Sequence, residues 1–287
     1  NTQVSCDVYG FSPAMMQYFR GTQEEDNYET VAALSTVLKE VAEGNVPTGV
    51  AFMLIMGKLA AINKCEESEN AARIKRGLDP LIRPVNSTTE ELKAALSTAM
   101  DTDAAEEMKR MLLPIQLGYG VSGGPEKMMH RVRAAHESNL YTCMQLDAIN
   151  GFNALLRKLL HEAIHARWKP GMKIFKAYYG MPSVCLYFYR EGKTMIIKVI
   201  LGTEGTRMGC IVGGTGFNIA VHHFIYEPLV KEFPTYKLFA LTDDLPALIP
   251  CPRIDAPPKE WEAHWDACAY FFERYDVKAN PIGIFRH

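Results

Sequence analysis

An apolar stretch that ends in two adjacent carboxylates, Phe239-Ala240-Leu241-Thr242-Asp243-Asp244, is the feature that most limits how this chain can fold. A second apolar run, Met144-Gln145-Leu146-Asp147, also ends in an acid. A carboxylate at the tip of a buried strand is costly unless a cation meets it. Three carboxylates converging from two strands are what a pair of magnesium ions needs for phosphoryl transfer.

The rest of the pattern reads as helices first, then strands mixed with helices, an α+β order. Helices are expected over 24–44 and 88–113, the second capped by Ser87 or Thr88 with Glu90 and Glu91 in its first turn. Pro125 opens a helix to about Glu137; a strand follows from Leu140 to Asp147, then a helix from Asn153 to Trp168 that Pro170-Gly171 breaks. Val184–Arg190 and Thr194–Leu201 flank Glu191-Gly192-Lys193 and predict a hairpin. A Gly-rich turn over 202–216 opens a helix to about Phe233. Residues 236–242 and 245–249 make a second hairpin with Asp243-Asp244 at its tip, and a last helix runs from Pro258 to Tyr275.

At 287 residues and 48% hydrophobic, the chain can bury a core of one large or two coupled domains. No apolar run approaches the roughly 20 residues of a membrane span, so a soluble protein is expected. Seven scattered cysteines without a Cys-x-x-Cys pair suit reduced thiols inside a cell, and do not choose between nucleus and mitochondrion. A start at Asn1 reads as a fragment or a processed form. Net charge is −2, unlike a general nucleic-acid binder, yet nine Lys/Arg lie between Arg157 and Lys198 against only Glu162 and Glu191. That basic stretch is either a solvated face or a phosphate-facing surface.

The order of motifs resembles the fingers and palm of a reverse transcriptase, especially the non-LTR retrotransposon type, from about Gly44 to the end. Lys64 and Arg83-Pro84-Val85 are similar to the family's two cationic positions. Gln116 to Gly124 resembles its template-side segment, and Leu146-Asp147-Ala148-Ile149-Asn150-Gly151-Phe152-Asn153 its first metal motif. Glu204 to Cys210 with Phe217-Asn218 resembles the segment that supports template and nucleotide. Leu241-Thr242-Asp243-Asp244 is similar to the Tyr-x-Asp-Asp hairpin, and Asn280-Pro281 to the closing Asn-Pro.

The resemblance implies a right-hand polymerase fold, with an antiparallel palm sheet packed on helices. It would hold a helical extension over 1–43, fingers over 44–139 and palm over 140–287, no thumb following before His287. It implies catalytic Asp147, Asp243 and Asp244, and two Mg2+ ions on Asp147 and Asp243. Nucleotide binding would fall to Lys64, Arg83, Gly209 and Phe152, the last as a gate against a ribose 2′-hydroxyl. Template RNA and primer DNA are the implied partners, and RNA-directed DNA synthesis the implied activity.

Several neighbours depart from the family: Leu241 replaces the aromatic, Met208 the glutamine, Ile211 the proline and Gly283 a lysine. These departures leave open a second reading, a catalytically silent, domesticated fold that contacts RNA or protein subunits within a larger assembly. A third, more distant reading comes from His161-Glu162-Ala163-Ile164-His165, whose i, i+4 imidazoles could hold zinc with Glu162 as base and Glu191 as a remote ligand. Trp261 and Trp265 read as core packing.

Overall fold

The computed structural model describes Asp7, Tyr9, Ser12 and residues 28–275 apart from Asp101 and Ile149. Asn280-Pro281 and Gly283 therefore lie outside the described residues, as do residues 24–27 and Cys6. In chain order the elements begin with α1 (Tyr28–Glu43), α2 (Thr48–Leu54), β1 (Gly57–Asn63), α3 (Glu67–Lys75), β2 (Ile82–Ser87) and α4 (Glu90–Ala99). Next come α5 (Thr102–Leu112), α6 (Gly124–Ser138), β3 (Tyr141–Leu146), the single turn α7 (Gly151–Ala154) and α8 (Arg157–Arg167). The chain continues through α9 (Met172–Tyr179), β4 (Ser183–Glu191), β5 (Thr194–Gly202) and α10 (Ile211–Val221). A π-helical turn over His222–Tyr226 leads into α11 (Glu227–Glu232), β6 (Lys237–Leu238), β7 (Leu245–Pro250) and α12 (Pro258–Tyr275). The fold is α+β, and no helix is long and apolar enough to cross a membrane among the described residues.

These elements form two compact units, each interleaved in sequence. The first joins the described residues up to Ala99 with Lys173–Gly213. Its mixed sheet has the order β2-β1-β4-β5, with β1 antiparallel to β2 and parallel to β4, and β4 antiparallel to β5. The hairpin expected around Gly192 is this β4–β5 pair; Gly192 takes φ +60, which the turn requires. Helix α1 packs on α4, and the Tyr178 hydroxyl donates to the carbonyl of Val41. Arg207 is buried here, donating to the carbonyls of Ile55 (2.8 Å) and Tyr178 (3.4 Å) over the ring of Tyr179.

The second unit joins Met100–Met172 with the described residues from Gly214. Its sheet is antiparallel, order β3-β7-β6. Strand β7 is central and buried from Leu245 through Ile249. Its neighbour β6 has two residues where the sequence pattern led us to expect about seven, and proline is the reason. Phe239 donates to the Pro246 carbonyl at 3.1 Å, but Pro246 has no N–H to return the bond, so the ladder lapses. The outer flank is taken instead by residues 115–117: Ala240 donates to Ile115 O (2.8 Å), and Leu117 donates to Ala240 O (2.7 Å).

Other differences also have local causes. The helix expected over 88–113 is two helices, and its first cap is Thr89, whose Oγ1 accepts from Leu92 N at 3.3 Å. Asn86 lies buried in β2 with its amide donating to Cys185 Sγ at 3.1 Å. The glycines expected in a turn over 202–216 divide: Gly213 and Gly214 already belong to α10. Trp261 is half-buried, whereas Trp265 is 54% exposed and is not core. Six cysteines are described and all are free thiols.

Candidate active site

The second unit brings the three sequence-predicted acids to one end of its sheet. Leu146 pairs with Leu245 in the β3–β7 ladder. Asp147 follows the first and Asp244 precedes the second, so the two carboxylates emerge at the same end of neighbouring strands. Asp243 sits in the two-residue turn Thr242-Asp243, closed by Leu241 N to Asp244 O (2.9 Å) and Asp244 N to Leu241 O (3.2 Å). Turns of this length require left-handed backbone. Thr242 supplies it at φ +62, a costly conformation for a β-branched residue.

What holds Thr242 there is a buried polar clamp. Gln116 is fully buried. Its Oε1 accepts from Thr242 N (2.8 Å) and Gly118 N (2.9 Å), while its Nε2 donates to Thr242 O (3.2 Å) and Asn218 Oδ1 (2.9 Å). The Tyr226 hydroxyl donates to the same Thr242 carbonyl at 2.9 Å. Both backbone polar groups of the strained residue are thereby satisfied by buried side chains. Gly118 is needed for the approach, since a Cβ would lie 3.0 Å from Thr242 N and Leu241 Cα.

Electrostatics show that the acids share one environment. Partial burial and then the charge of Asp147 push the Asp244 carboxyl above its ordinary value. The Tyr275 hydroxyl is pushed up first by burial and then by Asp147, Asp243 and Asp244 together. Burial, then Tyr275, Asp243 and Asp244, act the same way on Tyr226. Two neutral phenols thus border a cluster of negative charge.

Phe152, in α7, stacks on buried Phe217 with centroids 4.2 Å apart and planes at 15°. Gly151 must lie close to this pair, as its Cβ would be 3.1 Å from the Phe217 ring.

The other candidate positions belong to the first unit. Arg83 is exposed in β2 opposite Ile62, and Lys64, also exposed, follows the end of β1 with its N–H bonded to Leu81 O at 2.9 Å. Gly209 takes φ +95, and a Cβ there would lie 3.0 Å from Asn86 O. The observed close approach at this glycine is to β2.

His161 and His165 do lie one turn apart on α8, the first half-buried and the second exposed. Glu162 faces Lys158 at 4.0 Å, and Glu191 ends β4 in the other unit. Among the described residues, no three His, Cys, Asp or Glu side chains gather into a set that could hold a metal ion. The acids at the turn still fit magnesium in donor chemistry, for that ion is ordinarily held by one or two carboxylates with water and phosphate completing its octahedron.

Sequence reasoning gave no role to Gln116, Asn218, Thr242, Tyr226 or Tyr275. The first three stand inside segments that the resemblance picks out, whereas neither tyrosine does.

No protein-family model matches the chain, and no curated protein matches it in sequence. Solved structures do match in shape, and one of them, a telomerase, shares the α+β fold. Telomerase from Candida albicans, solved in complex with a TWJ fragment of telomeric RNA, aligns at TM-score 0.51 and 8% identity over 82% of this chain and 42% of that one. Apo telomerase from Candida tropicalis, truncated from its C-terminal domain, aligns at TM-score 0.47 and 12% identity over 84% of this chain and 53% of that one. This chain spans about half or less of the telomerase chains it matches.

Proposed function

We propose that this chain is the fingers-and-palm part of a reverse-transcriptase-like polymerase, joining nucleotides to a primer 3′-hydroxyl along an RNA template. The observation that carries this reading is the trio Asp147, Asp243 and Asp244, set at one end of the β3–β7 ladder on a strained turn that Gln116 and Tyr226 clamp. Mutually repelling carboxylates held rigid at a structural cost are understandable where a cation is to be met.

Asp147 and Asp243 are the residues we assign to magnesium, with Asp244 beside them. A divalent cation there would supply charge neutralisation at the entering and leaving oxygens. The clamp keeps the carboxylates from moving apart as their repulsion favours. Tyr226 and Tyr275 stay protonated beside them, and Phe152, fixed by its stack on Phe217, presents a bulky flat wall suited to excluding a 2′-hydroxyl. Lys64 and Arg83 are assigned to the triphosphate.

A second reading, a silent fold within an RNA or protein assembly, is favoured by the lack of a three-residue metal set among the described residues. Primer extension on an RNA template with magnesium separates the two. The polymerase reading expects extension by the chain with its native flanking sequence. Asp243→Asn should reduce it by about a thousandfold, the scale at which loss of one electrostatic contributor acts. No extension by that preparation sinks the polymerase reading and leaves the silent one.

A further inference from the structure

The β4–β5 ribbon of the first unit carries an apolar face that its own sheet leaves uncovered. β5 is the terminal strand of the order β2-β1-β4-β5, so among the described residues its outer backbone edge has no neighbouring strand. Met195, Ile197, Val199 and Leu201 alternate along it and therefore share one face. They are 52%, 53%, 64% and 60% exposed. Across the ladder they stand opposite Arg190, Phe188, Leu186 and Val184. Long, apolar edge strands invite pairing, and soluble proteins ordinarily blunt them with charge, proline or a covering element. In β5 only Lys198 does any blunting, and it points to the other face, where its ammonium lies 5.3 Å from the centre of the Tyr189 ring.

The chemistry of the ribbon narrows what can cover it. Between Ser183 and Gly202 the charged residues are Arg190, Lys193, Lys198 and a single acid, Glu191. No acid occurs in β5 itself, so a second copy paired edge to edge would bring lysines together with nothing to offset them. A nucleic acid would find cations for its phosphates, but the rings of the ribbon, Tyr187, Phe188 and Tyr189, all belong to β4, so the edge strand itself gives bases none to stack on. On its other face Lys198 stands between Ile196 and Ile200, so a strand with aliphatic residues on one face and an acid placed against Lys198 on the other satisfies all three demands: the free backbone edge, the apolar row and Lys198.

We propose that β5 is the docking edge for an extended, acidic-aliphatic segment of a partner protein, which adds to the sheet as its fifth strand. Main-chain bonds along β5 give the attachment, the Met195–Leu201 row buries the partner's aliphatic side chains, and Lys198 selects for Asp or Glu on the opposite face.

The test uses the full chain and a nine-residue peptide alternating Val or Ile with Glu, displayed on a soluble carrier and followed by fluorescence anisotropy. Binding should drop about tenfold for Lys198→Glu, in which a cross-strand pair turns from attraction to repulsion. The same variant should gain about as much for a peptide with Lys in place of Glu. Ile197→Lys with Val199→Lys, both at exposed positions, should remove binding while the thermal midpoint stays unchanged. The proposal is overturned if a scrambled peptide of the same composition binds equally well, if Lys198→Glu does not invert the charge preference, or if sedimentation shows a dimer that the Ile197/Val199 double variant dissolves.

Discussion

Thr242 is a residue in the wrong conformation for its type, and its surroundings say why it stays there. Left-handed backbone costs an L-residue about 1–2 kcal/mol, more when the side chain is β-branched. Replacing it with glycine should therefore stabilise the protein by about 1 kcal/mol after glycine's own entropy loss is deducted. If the strain fixes Asp243 and Asp244, the same change should lower extension activity, so urea midpoint and primer extension should move in opposite directions. Gln116 tests the other half of the clamp. Gln116→Leu leaves Thr242 N, Gly118 N and Asn218 Oδ1 without their partner in a buried site, which predicts a loss of about 3 kcal/mol by urea unfolding. Activity should fall further than the unfolded fraction accounts for. An equal fall in the two would make Gln116 a core residue and nothing more.

At the scale of elements, the helix leading to Tyr226 shows how a single residue type reshapes a site. Pro228 stands in the first turn of α11, where its ring would strike the Phe224 carbonyl of an uninterrupted α-helix. The preceding turn opens to π spacing over His222–Tyr226, and Tyr226 then reaches the Thr242 carbonyl. The same turn buries His222. Burial holds its imidazole below the ordinary value, Arg167 and His223 act in the same direction, and Glu227, 3.6 Å away, opposes them without prevailing. A histidine whose folded pKa is lowered contributes stability in full above its unfolded value of about 6.5 and loses it as pH falls below that value toward the folded one. His223 and His264 are lowered too and add slope of the same sign. Thermal midpoints of the wild type should therefore fall between about pH 7 and pH 5, and His222→Gln should fall less over that range. Equal slopes would refute a neutral, buried His222.

The same elements show what a sequence reveals. Strand β7 and the β4–β5 hairpin were legible because alternating or continuous apolar runs sit between clear turn residues. That Asp147, Asp243 and Asp244 come to one end of the β3–β7 ladder was legible because each apolar run ends in an acid at its tip. Two things were hidden. The shortness of β6 depends on the missing N–H of Pro246, one strand away. The clamp depends on Gln116 and Asn218, 102 residues apart in the chain, facing each other across a bond no periodicity announces.

At the scale of the whole molecule, the decisive property is that neither unit is a continuous stretch of chain. The first needs Lys173–Gly213 to complete what the described residues up to Ala99 begin, and the second likewise resumes at Gly214. Strand β1 lies between β2, its sequence neighbour, and β4, which arrives more than a hundred residues later. Of the described strands, a fragment covering residues 1–99 keeps the β1–β2 pair alone, and an isolated two-stranded ribbon is marginal in water. It also loses Tyr178 from under Val41, along with buried Ile174, Phe175 and Tyr179. Residues 1–99 alone should therefore show no cooperative thermal transition. Joining 173–213 to them through a flexible linker should restore one, because closing such a loop costs only a few kcal/mol and grows slowly with its length. Circular dichroism melts of the two fragments decide this. A cooperative melt by 1–99 alone would mean that its α1–α4 packing suffices, and that β4–β5 is an appendage to the first unit rather than part of its core.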